Sequence, residues 1–479
     1  MPGANNKVIL ITYPNSMGRN ISELHYILNR YFREALGGVH LLPFYVSTGD
    51  RGFAPIGYQK VDEAFGDWTD IARLAADYSL MADFMLNHIS AGSAYYQDFL
   101  LKKDASAYRS MFIQYKDFWE SGEPTDEQTA VIYKRKPRAP FTIARFPDKS
   151  EEKIWCTFGD QQIDLDVRSE KTLEFIKESL TFLAERGICA IRLDAFAYTV
   201  KKPGTSCFFV EPEIWSLLEY CAGILSPYGV HVLPEIHEHH DYQLKLAAKG
   251  YPVYDFALPM LLLNALYTGK TAYLKNWLHI CPRLQYTTLD THDGIGVADV
   301  RGLIPDEELY KTRDEIFKTG ANVKEIYSST RYNNLDVYQI NCTYYSALGN
   351  DDDAYLLARA VQFFTPGTPM IYYVGLLAGA NDVELVERTK EGRDINRHGY
   401  TLQEIDREVK RPVVQKLLRL MTFRNTHPAF NGDITIAPCG EHQLKILWSH
   451  LSHFAELEAD FAKRSYVIRY SADNSIKQA

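Results

Sequence analysis

The length, composition and charge of this chain are those of an ordinary globular protein. Its 479 residues include 52 basic and 61 acidic side chains, which gives a formal net charge of −9, and 46% of the residues are apolar. This composition excludes intrinsic disorder. The acidic balance argues against broad binding to nucleic acid or to an anionic membrane, because both need a basic surface.

The first residues and the cysteines predict a cytoplasmic protein. Residues 1–7 lead directly into an apolar run and lack the basic and long apolar regions of a signal peptide. No run approaches the ~18 consecutive apolar residues that suggest a membrane span. The seven cysteines are scattered without metal-ligand or redox spacing, so we expect buried, reduced thiols.

Short apolar runs alternate with helical patterns along most of the chain. One helical pattern places Ile71, Leu74 and Tyr78 on one face, and Thr69 is its expected N-cap. The apolar runs expected to be buried strands are 8–13, 39–44, 80–87, 188–194, 230–235, 253–256, 286–291 and 370–373. Eight short strands separated by helices predict an α/β fold, a (β/α)8 TIM barrel with a parallel sheet.

Two insertions and a C-terminal segment interrupt or extend this pattern. About 100 residues separate the third and fourth strands and about 80 the seventh and eighth, whereas a βα unit needs only ~30. After residue 428, alternating side chains at 455–461 and a run at 466–470 predict a small antiparallel sheet. The expected parts are barrel residues 1–88, 168–294 and 351–428, an inserted domain B at 89–167, an inserted domain B′ at 295–350 and a C-terminal β domain at 429–479.

Three acidic residues follow predicted barrel strands: Asp194, Glu235 and Asp293. A carboxylate directly after an apolar strand is costly to bury unless it has partners or a chemical role. The carboxyl ends of the fourth, fifth and seventh strands of a barrel lie on one face, where barrel enzymes carry their active sites. Paired carboxylates there suit cleavage of a glycosidic bond, with one acting as acid and the other as nucleophile or base.

Five ordered motifs resemble those of the α-amylase superfamily, glycoside hydrolase family 13. They are DFMLNH at 83–88, QIDLD at 162–166, RLD at 192–194, the fifth-strand Glu235 and THD at 291–293. Within that superfamily the chain is most similar to the sucrose phosphorylase family. The motifs that carry this similarity are STGDRGF at 47–53, LPEIHEH at 233–239, LDTHDGIG at 289–296, NNLDVYQIN at 333–341 and GRDINRH at 392–398.

The resemblance implies a retaining glucosyltransferase that converts sucrose and phosphate into α-D-glucose 1-phosphate and D-fructose. Asp194 would be the nucleophile that forms a β-glucosyl-enzyme, and Arg192 would keep it ionised. Glu235 would be the general acid and then the base, and Asp293 would stabilise the transition state. A retaining mechanism predicts the carboxyl groups of Asp194 and Glu235 roughly 5–5.5 Å apart.

The same resemblance implies the substrate-binding residues. Asp50 and Arg393 would form a charged clamp at the bottom of the glucose pocket. Arg135 and Tyr338 would bind phosphate, with Gln339 close to the acceptor, and the loops at 133–138 and 333–341 would move between half-reactions. The full implied set is Asp50, Phe53, His88, Arg135, Phe158, Gln162, Arg192, Tyr198, His292, Asp336, Tyr338, Gln339 and Arg393.

A basic run supports the phosphate assignment. Residues 133–138 contain four cations within six positions. An isolated run of this kind is usually a solvated loop, but its place in the first insertion and the resemblance favour an anion site. Arginine suits this role because its fork can bind two phosphate oxygens.

No cofactor and no metal are expected. The run at 235–240, EIHEHH, contains clustered histidines but lacks the spacing of a zinc protease motif, so His237 and His239 are interpreted as supporting or loop residues. The expected partners are the small molecules sucrose, phosphate, fructose and glucose 1-phosphate, together with a second copy in a homodimer. Neither nucleic acid nor a membrane is expected as a partner.

Several alternatives remain open at this stage. Related phosphorylases act on sucrose 6′-phosphate, glucosylglycerol or glucosylglycerate, and Tyr338 favours plain sucrose whereas Lys134 and Lys136 suit a phosphorylated acceptor. A simple α-glucosidase or transglucosidase would need no phosphate site. A non-catalytic amylase-like subunit would generally lack the three carboxylates, all of which are present here.

Overall fold

The computed structural model describes residues 6–135, 138–321, 339–472 and 475–478. Within them the strands are, in chain order, β1 (Ile9–Thr12), β2 (Gly38–Leu41), β3 (Ser79–Met85), β4 (His88–Ser90), β5 (Phe141–Arg145), β6 (Glu151–Trp155), β7 (Gln162–Asp164), β8 (Ile188–Asp194), β9 (His231–Pro234), β10 (Val253–Asp255), β11 (Gln285–Thr287), β12 (Ile295–Gly296), β13 (Gln339–Ile340), β14 (Thr368–Tyr372), β15 (Asp433–Ala437), β16 (Gln443–His450), β17 (His453–Asp460), β18 (Ser465–Ala472) and β19 (Ser475–Gln478).

The α-helices of the same residues connect these strands. They are α1 (Ile21–Ile27), α2 (Trp68–Asp77), α3 (Ala94–Lys102), α4 (Tyr115–Phe118), α5 (Asp126–Val131), α6 (Glu170–Ala184), α7 (Glu213–Leu225), α8 (His240–Ala248), α9 (Leu258–Thr268), α10 (Ala272–Ile280), α11 (Asp306–Lys318), α12 (Tyr344–Ala347), α13 (Asp352–Phe364), α14 (Tyr373–Leu376), α15 (Val383–Thr389), α16 (Leu402–Glu408) and α17 (Pro412–Thr426).

Eight parallel strands, each matching a predicted apolar run, form the (β/α)8 barrel: β1, β2, β3, β8, β9, β10, β11 and β14. The fold class predicted from the sequence is therefore confirmed. Strand β8 has the predicted bounds, and the other seven differ from the prediction by a few residues at their ends. Apolar runs identify these strands well because both faces of a parallel barrel strand are covered.

The chain divides into two compact units. The first unit holds residues up to His40, residues 237–321 and the residues from 339 onward, and the second holds Leu41–Ile236. In the first unit β14 pairs with β1, aligning Met370 with Ile9, and β11 lies between β10 and β14. In the second unit β8 lies between β3 and β9.

Helix α2 begins at Trp68, two residues before the start at Asp70 that an N-cap at Thr69 predicts. The prediction of Thr69 as N-cap is wrong, because the cap is Asp67, whose side chain accepts hydrogen bonds from the Thr69 and Asp70 amides. The Asp70 side chain in turn accepts from the Asp67 amide, which completes a capping box. This reciprocal pair satisfies more free amides than Thr69 alone would.

The segment between β3 and β8 has its own small sheets and its own apolar cluster. Strand β4 pairs with β7, and β5 pairs with β6, both antiparallel. The buried cluster contains Ile113, Tyr115, Phe118, Trp119, Ile132, Trp155 and Cys207. This cluster gives the first predicted insertion a core. The six-part division into domains remains a prediction.

The C-terminal sheet is more extensive than the two strands predicted. Strands β15–β19 form a five-stranded antiparallel sheet in sequence order. The predicted alternation in β17 is confirmed, since Ala455, Leu457 and Ala459 are buried. Strand β16 buries Trp448, whose indole nitrogen donates to the Phe364 carbonyl of α13 at 2.8 Å. The sheet is thus attached to a barrel helix of the same unit.

Among the residues that the structure describes, no helix is long and apolar enough to cross a lipid bilayer.

Candidate active site

In the second unit, three carboxylates from adjacent strands lie beside one arginine. Asp194 is the last residue of β8, Glu235 directly follows β9, and Asp83 lies within β3. The register of β3 and β8 pairs Asp83 with Arg192, two residues before Asp194. Because side chains alternate along a strand, Arg192 and Asp194 point to the same face.

Arg192 contacts all three carboxylates while it is only 3% exposed. Its Nη1 donates to Asp83 Oδ1 at 2.6 Å and to Asp194 Oδ1 at 2.9 Å, and its Nη2 lies 3.8 Å from Glu235 Oε1. A buried guanidinium between carboxylates fixes their positions through charge-assisted contacts. The carboxyl groups of Asp194 and Glu235 therefore contact the same guanidinium. The separation of roughly 5–5.5 Å between these two carboxyl groups remains a prediction.

The backbone after Asp194 holds Glu235 as well. Ala195 has a φ of 52°, in the left-handed region that non-glycine residues rarely adopt. In this conformation its amide donates to Glu235 Oε2 at 3.0 Å, and the Glu235 amide donates to the Leu193 carbonyl at 3.0 Å. Strained backbone of this kind persists where the surroundings fix it, often at functional sites.

His88 sits beside the backbone of Phe53, and both residues were predicted to bind sugar. Burial lowers the pKa of His88, so the neutral imidazole is favoured. His88 Nε2 lies 2.9 Å from the Phe53 carbonyl, which can only accept, so this nitrogen carries the proton. Gln162 Nε2 donates to the same carbonyl at 3.1 Å. The structure thus brings together three of the predicted substrate-binding residues.

A buried lysine links the strands that carry His88 and Gln162. Lys201 Nζ lies 2.6 Å from Asp164 Oδ2, and both side chains are at most 1% exposed. Lys201 also donates to the side chain of Asn87, next to His88, and Thr157 donates to Asp164. This ion pair was not predicted. The sequence signal was present, however, because Asp164 alternates with apolar neighbours in a buried strand.

We expect Lys201→Met to destabilise the protein strongly. The substitution removes one partner of a buried ion pair and leaves the Asp164 carboxylate uncompensated, which typically costs about 3–5 kcal/mol. Unfolding in urea, followed by circular dichroism, measures the loss. The matched control is Lys202→Met, which removes an exposed pair with Glu213 and should change little. Equal effects of the two substitutions would contradict this account.

An aromatic row leads from His88 to Arg135. The rings of His88 and Phe158 lie 5.5 Å apart, and those of Phe158 and Tyr198 lie 5.2 Å apart. The Arg135 guanidinium lies 5.2 Å from the centre of the Tyr198 ring and 5.6 Å from that of Tyr133. Cation–π contacts of this kind hold an arginine in place.

The rest of the basic run divides between buried and exposed positions. Lys134 is only 4% exposed. Together with Arg135 and Arg138 it lines a small cavity that has about the volume of one water molecule. Arg138 is half-exposed and pairs with Asp160. Lys136 lies outside the described residues.

Asp50 also belongs to the second unit, where it is exposed and has a φ of 48°. Its expected partner in the charged clamp, Arg393, belongs to the first unit. The pairing of these two residues remains a prediction.

The first unit carries Asp293 with its own set of contacts. Arg393 Nη1 lies 3.2 Å from Asp293 Oδ1, and His292 Nε2 lies 3.5 Å from Asp293 Oδ2. The Asn396 side-chain amide donates to the Asp293 carbonyl at 3.1 Å, and Arg397 Nη2 donates to the His292 carbonyl at 2.8 Å. Residues 393–397 therefore fix the THD motif. Asn396 and Arg397 were not predicted, although they lie in the GRDINRH motif.

The acceptor residues of the first unit are only partly described. Gln339 is buried in β13, and its side-chain oxygen accepts from the Gly294 amide at 3.4 Å, next to Asp293. A Cβ at Gly294 would meet Gln339 Cβ at 2.9 Å, so this contact depends on glycine. Asp336 and Tyr338 lie outside the described residues.

The clustered histidines have local roles. His237 Nδ1 lies 3.1 Å from Asp299 Oδ2, and His239 Nδ1 accepts from the Asp241 amide as the N-cap of α8. His239, His240 and Asp241 place potential ligand atoms within 4.8 Å of one another. These residues could hold a metal ion, but one histidine nitrogen already caps the helix. The expectation of no metal remains a prediction.

A family profile matches most of the chain. The profile for "Alpha amylase, catalytic domain" covers residues 21–416.

The chain belongs to the α-amylase family.

Individual relatives match along nearly the full length. The chain is 53% identical over 465 residues to the sucrose phosphorylase of Streptococcus mutans, and this alignment covers 96% of this chain and 97% of the relative. It is 45% identical over 479 residues to the sucrose 6(F)-phosphate phosphorylase of Thermoanaerobacterium thermosaccharolyticum, with 98% of each chain covered.

Solved structures show the same relationship. The crystal structure of sucrose 6F-phosphate phosphorylase from Thermoanaerobacter thermosaccharolyticum matches with a TM-score of 0.96 at 43% identity, covering 100% of this chain and 99% of the other. This member of the α-amylase family therefore shares its fold with that phosphorylase along its entire length.

Proposed function

We propose that this α-amylase family member is a sucrose phosphorylase. The observation that carries the proposal is the pair of carboxylates, Asp194 and Glu235, on the buried Arg192, with Arg135 at the end of an aromatic row in the same unit. The similarity to phosphorylases along the whole chain supports it. The paired carboxylates are suited to cleaving a glycosidic bond, and the guanidinium of Arg135 is suited to binding phosphate.

The first half-reaction transfers glucose to the enzyme. An Asp194 oxygen attacks the anomeric carbon of the glucosyl unit while the bond from that carbon to the fructose oxygen breaks. Glu235 gives its proton to the leaving oxygen, so neutral fructose departs and Glu235 becomes a carboxylate. The Ala195 amide and the Arg192 guanidinium stabilise that carboxylate.

The second half-reaction transfers glucose to phosphate. A phosphate oxygen attacks the anomeric carbon of the glucosyl-enzyme, and the bond to Asp194 breaks. The Glu235 carboxylate takes up the proton of hydrogen phosphate as the new bond forms, which restores the starting state. Two displacements at one carbon give net retention, so the product is α-D-glucose 1-phosphate.

The remaining site residues are proposed to bind substrate. Asp293 stabilises the positive charge that develops on the sugar ring, and Arg393 and His292 hold its carboxylate in place. We propose that the other sugar ligands are Asp50, Phe53, His88, Phe158, Gln162 and Tyr198. Arg135 and Tyr338 bind phosphate, and Asp336 and Gln339 lie near the acceptor.

Phosphate dependence tests the proposal. The protein is incubated with sucrose in the presence and absence of inorganic phosphate, and glucose 1-phosphate, glucose and fructose are quantified. We expect glucose 1-phosphate and fructose in equal amounts with phosphate and only slow glucose release without it. Equal glucose release in both conditions, without glucose 1-phosphate, would support an α-glucosidase and overturn the proposal.

We expect Arg135→Ala to impair phosphorolysis selectively. Loss of a charge-assisted contact to phosphate should raise the KM for phosphate roughly 10- to 100-fold and leave hydrolysis of sucrose in water nearly unchanged. Initial rates of phosphorolysis at several phosphate concentrations, together with the rate of hydrolysis without phosphate, measure the two effects separately. The control is Arg145→Ala, an exposed arginine paired with Glu151, which should behave as wild type. A parallel fall in hydrolysis and phosphorolysis would contradict the assigned role.

Sucrose 6′-phosphate is the second candidate substrate. It is favoured by the similarity to the sucrose 6(F)-phosphate phosphorylase of Thermoanaerobacterium thermosaccharolyticum and by the buried cation Lys134 beside Arg135. Comparing kcat/KM for sucrose and sucrose 6′-phosphate distinguishes the two. A preference for sucrose supports the main proposal, and a preference of tenfold or more for the phosphorylated sugar supports the second candidate.

Location and assembly complete the proposal. We propose a homodimer that acts in the cytoplasm, where its thiols stay reduced. All seven cysteines are free, and five of them are buried. Sedimentation velocity tests the dimer.

A further inference from the structure

A second cavity lies in the first unit, between α13, α17 and β18, and takes no part in the proposed reaction. It has a volume of about 530 Å³, within the range of about 300–1,000 Å³ typical of small-molecule sites. We call it the α13–α17–β18 cavity. Its three walls belong to one unit, and α17 and β18 both pack against α13.

The floor of the cavity is apolar. Leu356 of α13, Leu420 of α17 and Ile468 of β18 are each at most 6% exposed. Phe423 and Tyr466 are half-buried and complete the lining on two sides. A concave apolar surface of this size favours a ligand with an apolar body, because binding removes that surface from water.

The rim of the cavity is predominantly basic, with four cations and one exposed carboxylate, Asp353. Two of the cations are already paired: Arg464 Nη1 lies 2.7 Å from Asp351 and Lys463 Nζ lies 3.0 Å from Asp460. The other two, Lys416 and Arg419, are exposed and form no ion pair with the residues that the structure describes. They lie three residues apart on α17 and so share one face of the helix.

Two charged residues at the rim influence the pKa of Tyr466, which lines the cavity. Burial raises the pKa of Tyr466, while the Arg419 charge lowers it and the Asp353 charge raises it. Tyr466 and Arg419 both line the cavity, so a hydroxyl that can form a hydrogen bond and a cation are available to the polar group of an amphipathic ligand.

We propose that the α13–α17–β18 cavity binds a small organic anion with an aromatic or branched apolar body. The apolar body rests on Leu356, Leu420 and Ile468, and the single anionic group faces Arg419, with Lys416 adding positive charge. The arginine fork suits a carboxylate or a phosphate equally. This site lies beyond the proposed phosphorolysis and does not depend on it.

Calorimetric titration of the full chain with 1-naphthoate tests the proposal. We expect one 1-naphthoate per chain and about tenfold weaker binding of 1-naphthalenemethanol, which has the same rings without the charge. Arg419→Gln should weaken 1-naphthoate binding about tenfold. Ser465→Phe, which places a ring at the exposed mouth of the cavity, should abolish it. Thermal melting verifies that each variant is folded.

Arg407→Gln is the matched control, because Arg407 is an exposed arginine on α16 that does not line the cavity. Its binding of 1-naphthoate should equal that of the wild type. The absence of saturable binding, equal binding of the neutral analogue, or binding unaffected by Arg419→Gln and Ser465→Phe would overturn the proposal. A dimer that Arg419→Gln dissociates would also overturn it, since a second copy would then occupy this surface.

Discussion

Asp194→Asn should reduce phosphorolysis of sucrose by roughly four orders of magnitude or more, because the amide cannot form the glucosyl-enzyme. The fold should survive, since Arg192 keeps its 2.6 Å contact with Asp83 and its approach to Glu235. Stopped assays of glucose 1-phosphate measure the rate, and thermal melting measures the fold. A residual activity above 1% would contradict the role of Asp194 as nucleophile.

Two further variants separate chemistry from structure. Asp117→Asn alters an exposed carboxylate that pairs with Arg109, and it should leave the rate unchanged. Asp194→Ala opens space beside the anomeric carbon, so added azide should attack directly and give β-glucosyl azide. Formation of the α-azide would show that another nucleophile remains.

Glu235→Gln should lower turnover of sucrose by about 10²- to 10⁴-fold, because the leaving fructose oxygen is no longer protonated. The amide oxygen can still accept from the Ala195 amide, so the position of the side chain should change little. With α-glucosyl fluoride the first half-reaction needs no proton, and the initial release of fluoride should remain close to the wild-type rate. A fluoride electrode measures this difference directly.

Glu219→Gln, an exposed glutamate on α7, is the control for Glu235→Gln and should match the wild type on both donors. An equal loss on sucrose and on α-glucosyl fluoride would contradict the role of Glu235 as general acid. It would indicate that Glu235 instead binds the glucosyl ring.

Most of the barrel could be predicted from the sequence because its strands are buried on both faces. Strand β8 could be predicted from the run at 188–194, because the residues before Asp194 are all apolar except Arg192. Asp194 and Glu235 could likewise be placed at the ends of β8 and β9, since parallel strands end on one face, whereas Asp293 lies well beyond β11, which ends at Thr287. Strand β16 carries the same kind of signal, since its alternating residues Leu444, Ile446 and Trp448 are buried.

Long-range pairings could not be predicted in the same way. Asp83 and Arg192 are 109 positions apart, and Asn87 and Lys201 are 114 apart, so local spacing carries no information about either contact. An acid within an apolar run, as at Asp83, signals that a partner exists but does not identify it. The left-handed conformation of Ala195 has no sequence signal, because alanine does not favour it.

The configuration of the product tests the central claim most directly. Proton and phosphorus NMR spectra recorded from the first minutes of a reaction of sucrose with phosphate distinguish the two anomers of glucose 1-phosphate. The account predicts the α anomer alone, formed together with an equal amount of fructose. The β anomer as first product, or free glucose with no glucose 1-phosphate, would contradict a double displacement through Asp194 that ends on phosphate.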